Sequence, residues 1–419
     1  MNVLIKSAKI IDPKSDFNNE IRDILVENGV ISKIAKRIPN PGRCKEIKLT
    51  DLHISQGWFD SSVSFGEPGF EERETIKNGL NTAARSGFTA VVVNSNTQPT
   101  AQTGSDIAFL LSRAEGHAVR LLPVGSLSIN NQGESLAELF DMSQAGAVSF
   151  YDYQIALNDP NFMKVALQYA STFDGLVSSF PLDDKIARQG VVHEGVVSTM
   201  LGLSGIPSLA EELRVKRDLS LLEYTGGKLH IPTISTLGSV ELIKDAKARR
   251  LDVSCSAAIH NLIFIDEHLK HFNSNFKVLP PLRSEIDRLA LIDGLKDGTI
   301  DMVTSDHNPL DIESKKLEFE YAKFGTIGLE SAFGALLNVF TLKTTIKLLT
   351  RGRERFSVES TSMNIGNRID ATLFTPNTKV VFSKDQIHSK SKNSIFLNKE
   401  LSGHVYGIIN QDQMVLETH

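Results

Sequence analysis

The chain has 419 residues, 41% of them hydrophobic and 23% charged, which suits a soluble globular protein of one large domain and one smaller unit. A formal net charge of −5 gives no electrostatic footprint for nucleic acid or an anionic membrane. Cys44 and Cys255 form no CxxC pair, the N-terminus is too polar for a secretory signal, and no apolar run is long enough to span a bilayer. A cytoplasmic location is the expectation.

Residues 1–53 read as short strands around 3–5, 21–26 and 30–34, with Asn28-Gly29 as a hairpin turn between the last two. From 54 to 365 apolar strands alternate with helical patterns, the order that a (β/α)8 barrel requires. Strands are expected at 90–94, 120–124, 147–150, 229–233, 251–255 and 302–305. Helical periodicity falls at 74–86, 136–145, 239–249 and 287–296. Near-continuous apolar strands with polar tips fit a parallel sheet whose site lies at the C-terminal strand ends. Residues 345–365, with Arg351-Gly352-Arg353-Glu354-Arg355, read as an irregular, solvated return whose charges are a surface feature. Strand texture resumes at 371–374, 379–382 and 405–409. The fold class expected is α/β: a (β/α)8 TIM-type barrel over 54–365, with a small β-sandwich domain formed by 1–53 and 366–419.

Several stretches carry a resemblance. Gln56-Gly57-Trp58-Phe59-Asp60 followed by Glu67-Pro68-Gly69 resembles the first barrel strand of the dihydroorotase family of amidohydrolases, which reads Asp-x-His-x-His-x-Arg-Glu-Pro-Gly. Asn94-Ser95-Asn96-Thr97-Gln98-Pro99 is similar to the family's Met-Pro-Asn-Thr-x-Pro. Ile206-Pro207 with Glu211-Glu212, the run from His230 to Ile243, Pro280-Pro281-Leu282-Arg283, and Ser305-Asp306-His307 with Pro309 match further family motifs in order.

What the resemblance implies about chemistry is contradictory. The family's metal centre uses four histidines and two acids, donors that suit zinc. The two histidines of the first strand correspond to Ser62 and Ser64, the third falls at or beside Phe180, and the fourth corresponds to Thr233. The bridging acid matches Asp152, and the acid that serves as ligand and general base matches Asp306. The arginine that grips the substrate carboxylate is Gly66, while Asn96 and His307 are retained as substrate-binding positions. Leu279 and Leu310 replace an asparagine and a histidine, so with Phe180 they should fill the hollow. Neutral hydroxyls are poor zinc ligands, and two carboxylates alone suit only a hard, weakly held cation.

Metal binding lowers the pKa of water from 15.7 to about 7, worth roughly 12 kcal/mol toward hydroxide. A lone Asp306 acting as base supplies about 3–5 kcal/mol. No resident metal or other cofactor is therefore expected, although the family uses zinc. His193, His230 and His260 read as packed, whereas His53, His117, His268, His271, His388, His404 and His419 read as solvated.

The favoured expectation is a dihydroorotase homologue of the pyrimidine pathway without catalysis. The pattern resembles inactive dihydroorotase-like chains that some bacteria pair with aspartate transcarbamoylase, which implies a scaffold role and a homo-oligomer. Two alternatives stay open: an active cyclic-amide hydrolase with a reorganised, metal-poor site, and a small-molecule binding module at the barrel mouth around Asn96 and His307.

Overall fold

The computed structural model describes residues 1–42 and 44–417. Strands β1 (Val3–Ile10), β2 (Ile21–Glu27), β3 (Val30–Ala35), β4 (Lys45–Ile47) and β5 (His53–Gln56) open the chain. The barrel follows with β6 (Trp58–Val63), β7 (Phe88–Val93), β8 (Arg120–Gly125), β9 (Ser149–Phe150) and β10 (Leu176–Ser178). A small pair, β11 (Val192–His193) and β12 (Gly205–Ile206), precedes the barrel strands β13 (Lys228–Ile231), β14 (Val253–Ala258) and β15 (Met302–Thr304). Strands β16 (Ala371–Val381), β17 (Glu400–Asn410) and β18 (Gln413–Leu416) complete the order.

Both termini enter one mixed sheet, β18-β17-β16-β5-β1-β2-β3, with β4 beside β1. Asn28 and Gly29 have φ of 51° and 74°, the paired left-handed conformation of a two-residue hairpin turn. Side chains alternate across this sheet. Val3 and Ile5 pack with Ile54, Leu373 and Ile409, while Leu4 between them packs with Leu25 and Ile38.

The second sheet runs β6-β7-β8-β9-β10-β13-β14-β15, with its consecutive strands parallel. An isolated bridge between Val63 and His307 brings its two ends together, and Ser64 N donates to His307 O at 2.7 Å. The strands are apolar on both faces because both faces are covered. Ala90 and Val92 of β7 join Phe59, Val124, Tyr151, Phe180 and Phe356 inside the barrel, whereas Val91 and Val93 pack with Leu80 and Ile107 of the helices outside. Helices Ile76–Arg85, Gly104–Arg113, Leu237–Ala248 and Glu285–Asp297 begin at Thr75, Thr103, Thr236 and Ser284, whose hydroxyls accept first-turn amides. Among the described residues no helix is long and apolar enough to cross a membrane.

Two expectations need correction. The 345–365 return is not a solvated loop: helix Leu342–Thr350 covers its start, and Arg353 is 2% exposed. The Arg353 guanidinium pairs with Asp370 at 2.8 Å and donates to Gly57 O and Thr89 Oγ1, so it pins the barrel's lower rim to the terminal sheet. Removing the charge from water is offset by these charge-assisted bonds. His53 is not solvated either. It is buried against Phe374, with Nδ1 2.9 Å from Asp51 O. His117, His388 and His404 are partly buried, and the two last flank the Glu417 carboxylate at 3.5 and 3.1 Å. Only His268 and His271 of that group are exposed; His419 lies outside the described residues.

Candidate functional site

The C-terminal strand ends gather the positions at issue, and their polar atoms are largely spent on one another. Asp60 on β6 is 1% exposed; its Oδ1 accepts Ser62 N and Thr304 Oγ1 at 3.1 and 2.6 Å, and its Oδ2 accepts Ser305 N at 3.0 Å. This carboxylate laces β6 to the tip of β15. Just beyond it, Ser62 Oγ and Ser64 Oγ both accept from Asn94 Nδ2, at 3.1 and 3.2 Å. A single amide bonds the two hydroxyls that the resemblance sets against family histidines. The sequence pattern gives no role to Asn94; its signal is an asparagine where the family wording has methionine.

Asp152 and Asp306, the two acids that the resemblance assigns to a metal centre, belong to no group of three or more possible ligands among the described residues. Asp152 is 1% exposed and faces the 126–128 segment. Its Oδ1 accepts Ser126 Oγ, Leu127 N and Ser128 N at 2.9, 2.8 and 3.0 Å, and Ser128 Oγ donates to Oδ2. Burial raises the Asp152 pKa, and these donors work against that rise. Asp306 sits 3% exposed with φ of 47°, and Tyr153 Oη donates to its Oδ1 at 3.3 Å. Burial, aided by the nearby Asp60, pushes the Asp306 carboxyl up to about 7. Thr233 also holds a left-handed φ of 51°, which a β-branched residue adopts only at a cost. Its N donates to Ser256 Oγ at 3.1 Å.

His307 is fully buried. Its Nδ1 accepts Gly328 N and Leu329 N at 3.2 and 3.4 Å, which assigns the proton of the neutral ring to Nε2. Burial drops its pKa to about 3, so the ring is uncharged at neutral pH. Its backbone bridges both Val63 and Thr326, so His307 organises the loop after β15. Asn96 is half-buried, with Oδ1 lacking a hydrogen-bond partner among the described residues. Among the described residues no hydrogen bond joins Asn96 to His307.

Apolar groups fill the rest. Phe180 and Leu279 are 2% and 8% exposed and share the lumen cluster with Tyr151 and Tyr153. Leu310, though 5% exposed, lines a separate lateral cavity and does not reach the lumen cluster. One void within the lumen, of about 10 Å³, is bordered by Ser62, Asn94, Tyr151, His230 and Phe356. That is room for about one water and not for a cyclic amide. At Gly66 the backbone itself is closed: a Cβ there would lie 1.9 Å from Phe70 O.

Zinc does not fit this donor set. Asp152 already accepts four donors, Asp306 is bonded to Tyr153 with its carboxyl pushed up to about 7 by burial, and the remaining four positions are hydroxyls or phenyl. Among the described residues no group of three or more His, Cys, Asp or Glu is placed to hold a metal ion.

An eight-stranded parallel barrel beside a terminal sheet, with buried polar residues gathered at its C-terminal strand ends, is the architecture of the amidohydrolase class. The family profile described as Dihydro-orotase-like matches residues 53–239. Dihydroorotase from Pelotomaculum thermopropionicum is 36% identical over 424 residues, covering 100% of this chain and 99% of the relative. Dihydroorotase from Acetivibrio thermocellus is 36% identical over 430 residues and covers 99% of each. This chain belongs to the dihydroorotase family. In fold it is similar to L-hydantoinase (dihydropyrimidinase) from Arthrobacter aurescens, with a TM-score of 0.86 at 20% identity over 99% of this chain and 96% of the other. D-hydantoinase from Thermus sp. superposes with a TM-score of 0.81 at 18% identity, covering 99% and 97%.

Proposed function

We propose that this chain is a dihydroorotase homologue of pyrimidine biosynthesis that has lost the hydrolytic reaction and serves as a homo-oligomeric scaffold. The observation that carries the loss of catalysis is the Ser62–Asn94–Ser64 bridge over a void of about 10 Å³, which puts hydrogen-bonded core where ligands and substrate would sit. Asp306 keeps the general-base position and Asn96 and His307 the substrate-binding positions as vestiges. Aspartate transcarbamoylase is the partner we favour, and the family resemblance alone supports that choice.

The scaffold reading is tested by mixing the purified chain with aspartate transcarbamoylase of the same cell and following co-elution on a sizing column together with carbamoyl transfer. The expected result is a stable complex and a transferase rate that depends on the chain. Separate elution with an unchanged rate would reject the partner. One observation favours the rival reading, an active cyclic-amide hydrolase: a carboxyl near 7 at Asp306 is in the range of a general base. That reading requires the lumen to open by the volume of a substrate, and dihydroorotate turnover would establish it.

A further inference from the structure

Beside the barrel mouth lies an open lateral cavity of about 580 Å³. Its wall carries Lys315 and Lys316 from the segment after β15, and Lys384, Lys390 and Lys392 from the segment between β16 and β17. Among the described residues none of these five ammonium groups forms an ion pair within 4.0 Å, in a chain whose net charge is −5.

Three of the five are held by main-chain carbonyls instead. Lys390 Nζ donates to Glu71 O at 2.6 Å, Lys392 Nζ to Ile387 O and Ser389 O at 2.6 and 2.9 Å, and Lys315 Nζ to Lys277 O and Lys323 O at 3.2 and 3.0 Å. Carbonyl dipoles orient a cation without cancelling its charge. The two acids of the wall are committed elsewhere. Asp311 accepts Ser314 N and Oγ at 2.7 and 2.8 Å and lies 3.6 Å from Arg73, which also reaches Glu72 at 3.5 Å. Five lysines therefore line one concavity without forming an ion pair, with Lys316 and Lys384 free of side-chain partners among the described residues and Glu71 the acid that feels the Lys390 charge.

We propose that this cavity binds a small phosphorylated molecule, with the lysines holding the phosphate. Lysine supplies compact point charges, which suit phosphate, whereas planar carboxylates favour the guanidinium fork that this wall lacks. The volume lies within the range of small-molecule sites and leaves room for an organic moiety beside the phosphate. Lys315 is 5% exposed, with its Nζ turned to the Lys277 and Lys323 carbonyls, and burial with Lys277 beside it brings its pKa down to about 7. Asn393 anchors this wall to the β15 loop, accepting Leu310 N at 3.1 Å and donating to Asn308 O at 3.2 Å.

The test is calorimetric titration of the full chain with inorganic pyrophosphate at fixed ionic strength, with inorganic phosphate and succinate as separate arms. The expected result is saturable binding of one pyrophosphate per chain, with phosphate weaker and succinate absent. Lys316→Gln with Lys384→Gln, both exposed and without described partners, should weaken pyrophosphate about tenfold at an unchanged melting temperature. Lys14→Gln with Lys343→Gln, in a different basic cavity, should leave the affinity as it was. No saturable binding, binding indifferent to the first pair of substitutions, or succinate as tight as pyrophosphate would overturn the proposal.

Discussion

Asn94 Nδ2 divides its two protons between the Ser62 and Ser64 hydroxyls, and all three side chains are buried. Removing the amide strands the Ser62 hydroxyl and leaves Ser64 with Tyr153 alone, so Asn94→Leu should cost about 1–3 kcal/mol. Adding Ser62→Ala and Ser64→Ala removes both hydroxyls, and the triple variant should be more stable than the single one in thermal melts. Additive losses would show that the bridge is not what Asn94 does. Asp306 gives a second expectation with a definite sign. Its carboxyl titrates near 3.8 when unfolded and near 7 when folded, so between those values the folded chain binds more protons. That contribution is complete below about pH 4 and is lost as pH rises through about 7. Asp306→Asn should flatten the fall in melting temperature from about pH 4.5 to 8 relative to the parent. Comparing the two chains cancels the buried histidines His230, His260 and His307, which both share. Parallel profiles would mean that Asp306 is solvated. Serines at 62 and 64 are evident from the sequence, but their shared partner is not, because it lies thirty residues away and is fixed only by the pairing of β6 with β7.

The loop after β6 shows the same point at the scale of an element. Phe70 N donates to Gly66 O at 2.7 Å and Gly66 N to Glu74 O at 2.9 Å, so the chain doubles back over the position where the family holds its arginine. Gly66→Ala should destabilise measurably, since a Cβ would meet Phe70 O at 1.9 Å, and Gly66→Arg should do worse and restore no turnover. An arginine variant that melts like the parent would show that the loop yields easily. Alternating apolar runs and Asn28-Gly29 made the strands and the hairpin legible, because both signals are local. Arg353 was misread because its burial depends on Asp370 and Gly57, remote in sequence. Three motifs of the resemblance turn out to form a structural knot: Glu211 accepts Ser235 N at 2.7 Å and pairs with Arg283 at 3.4 Å, and Arg283 Nη1 donates to Ile206 O at 2.8 Å. Motifs that resemble the family's thus knot loops together here, whereas the positions that the resemblance assigns to histidine ligands carry Ser62, Ser64, Phe180 and Thr233.

For the whole molecule, the barrel and its terminal sheet follow from pattern and connection order, and they match the hydantoinase fold nearly end to end. Fold alone leaves the chemistry open, and relatives at 36% identity carry the name dihydroorotase. On the proposed reading, what keeps this chain from hydrolysis is the interior of the strand ends: a hydrogen-bonded serine pair, an Asp152 that already accepts four donors, a closed Gly66 loop and a void of only about 10 Å³ beside the serines. The most direct test is dihydroorotate turnover by the purified chain, with zinc, manganese and magnesium added in turn and a metal-dependent dihydroorotase as positive control. The account predicts no turnover above the protein-free rate with any metal. Metal-dependent consumption of dihydroorotate by this chain would contradict it.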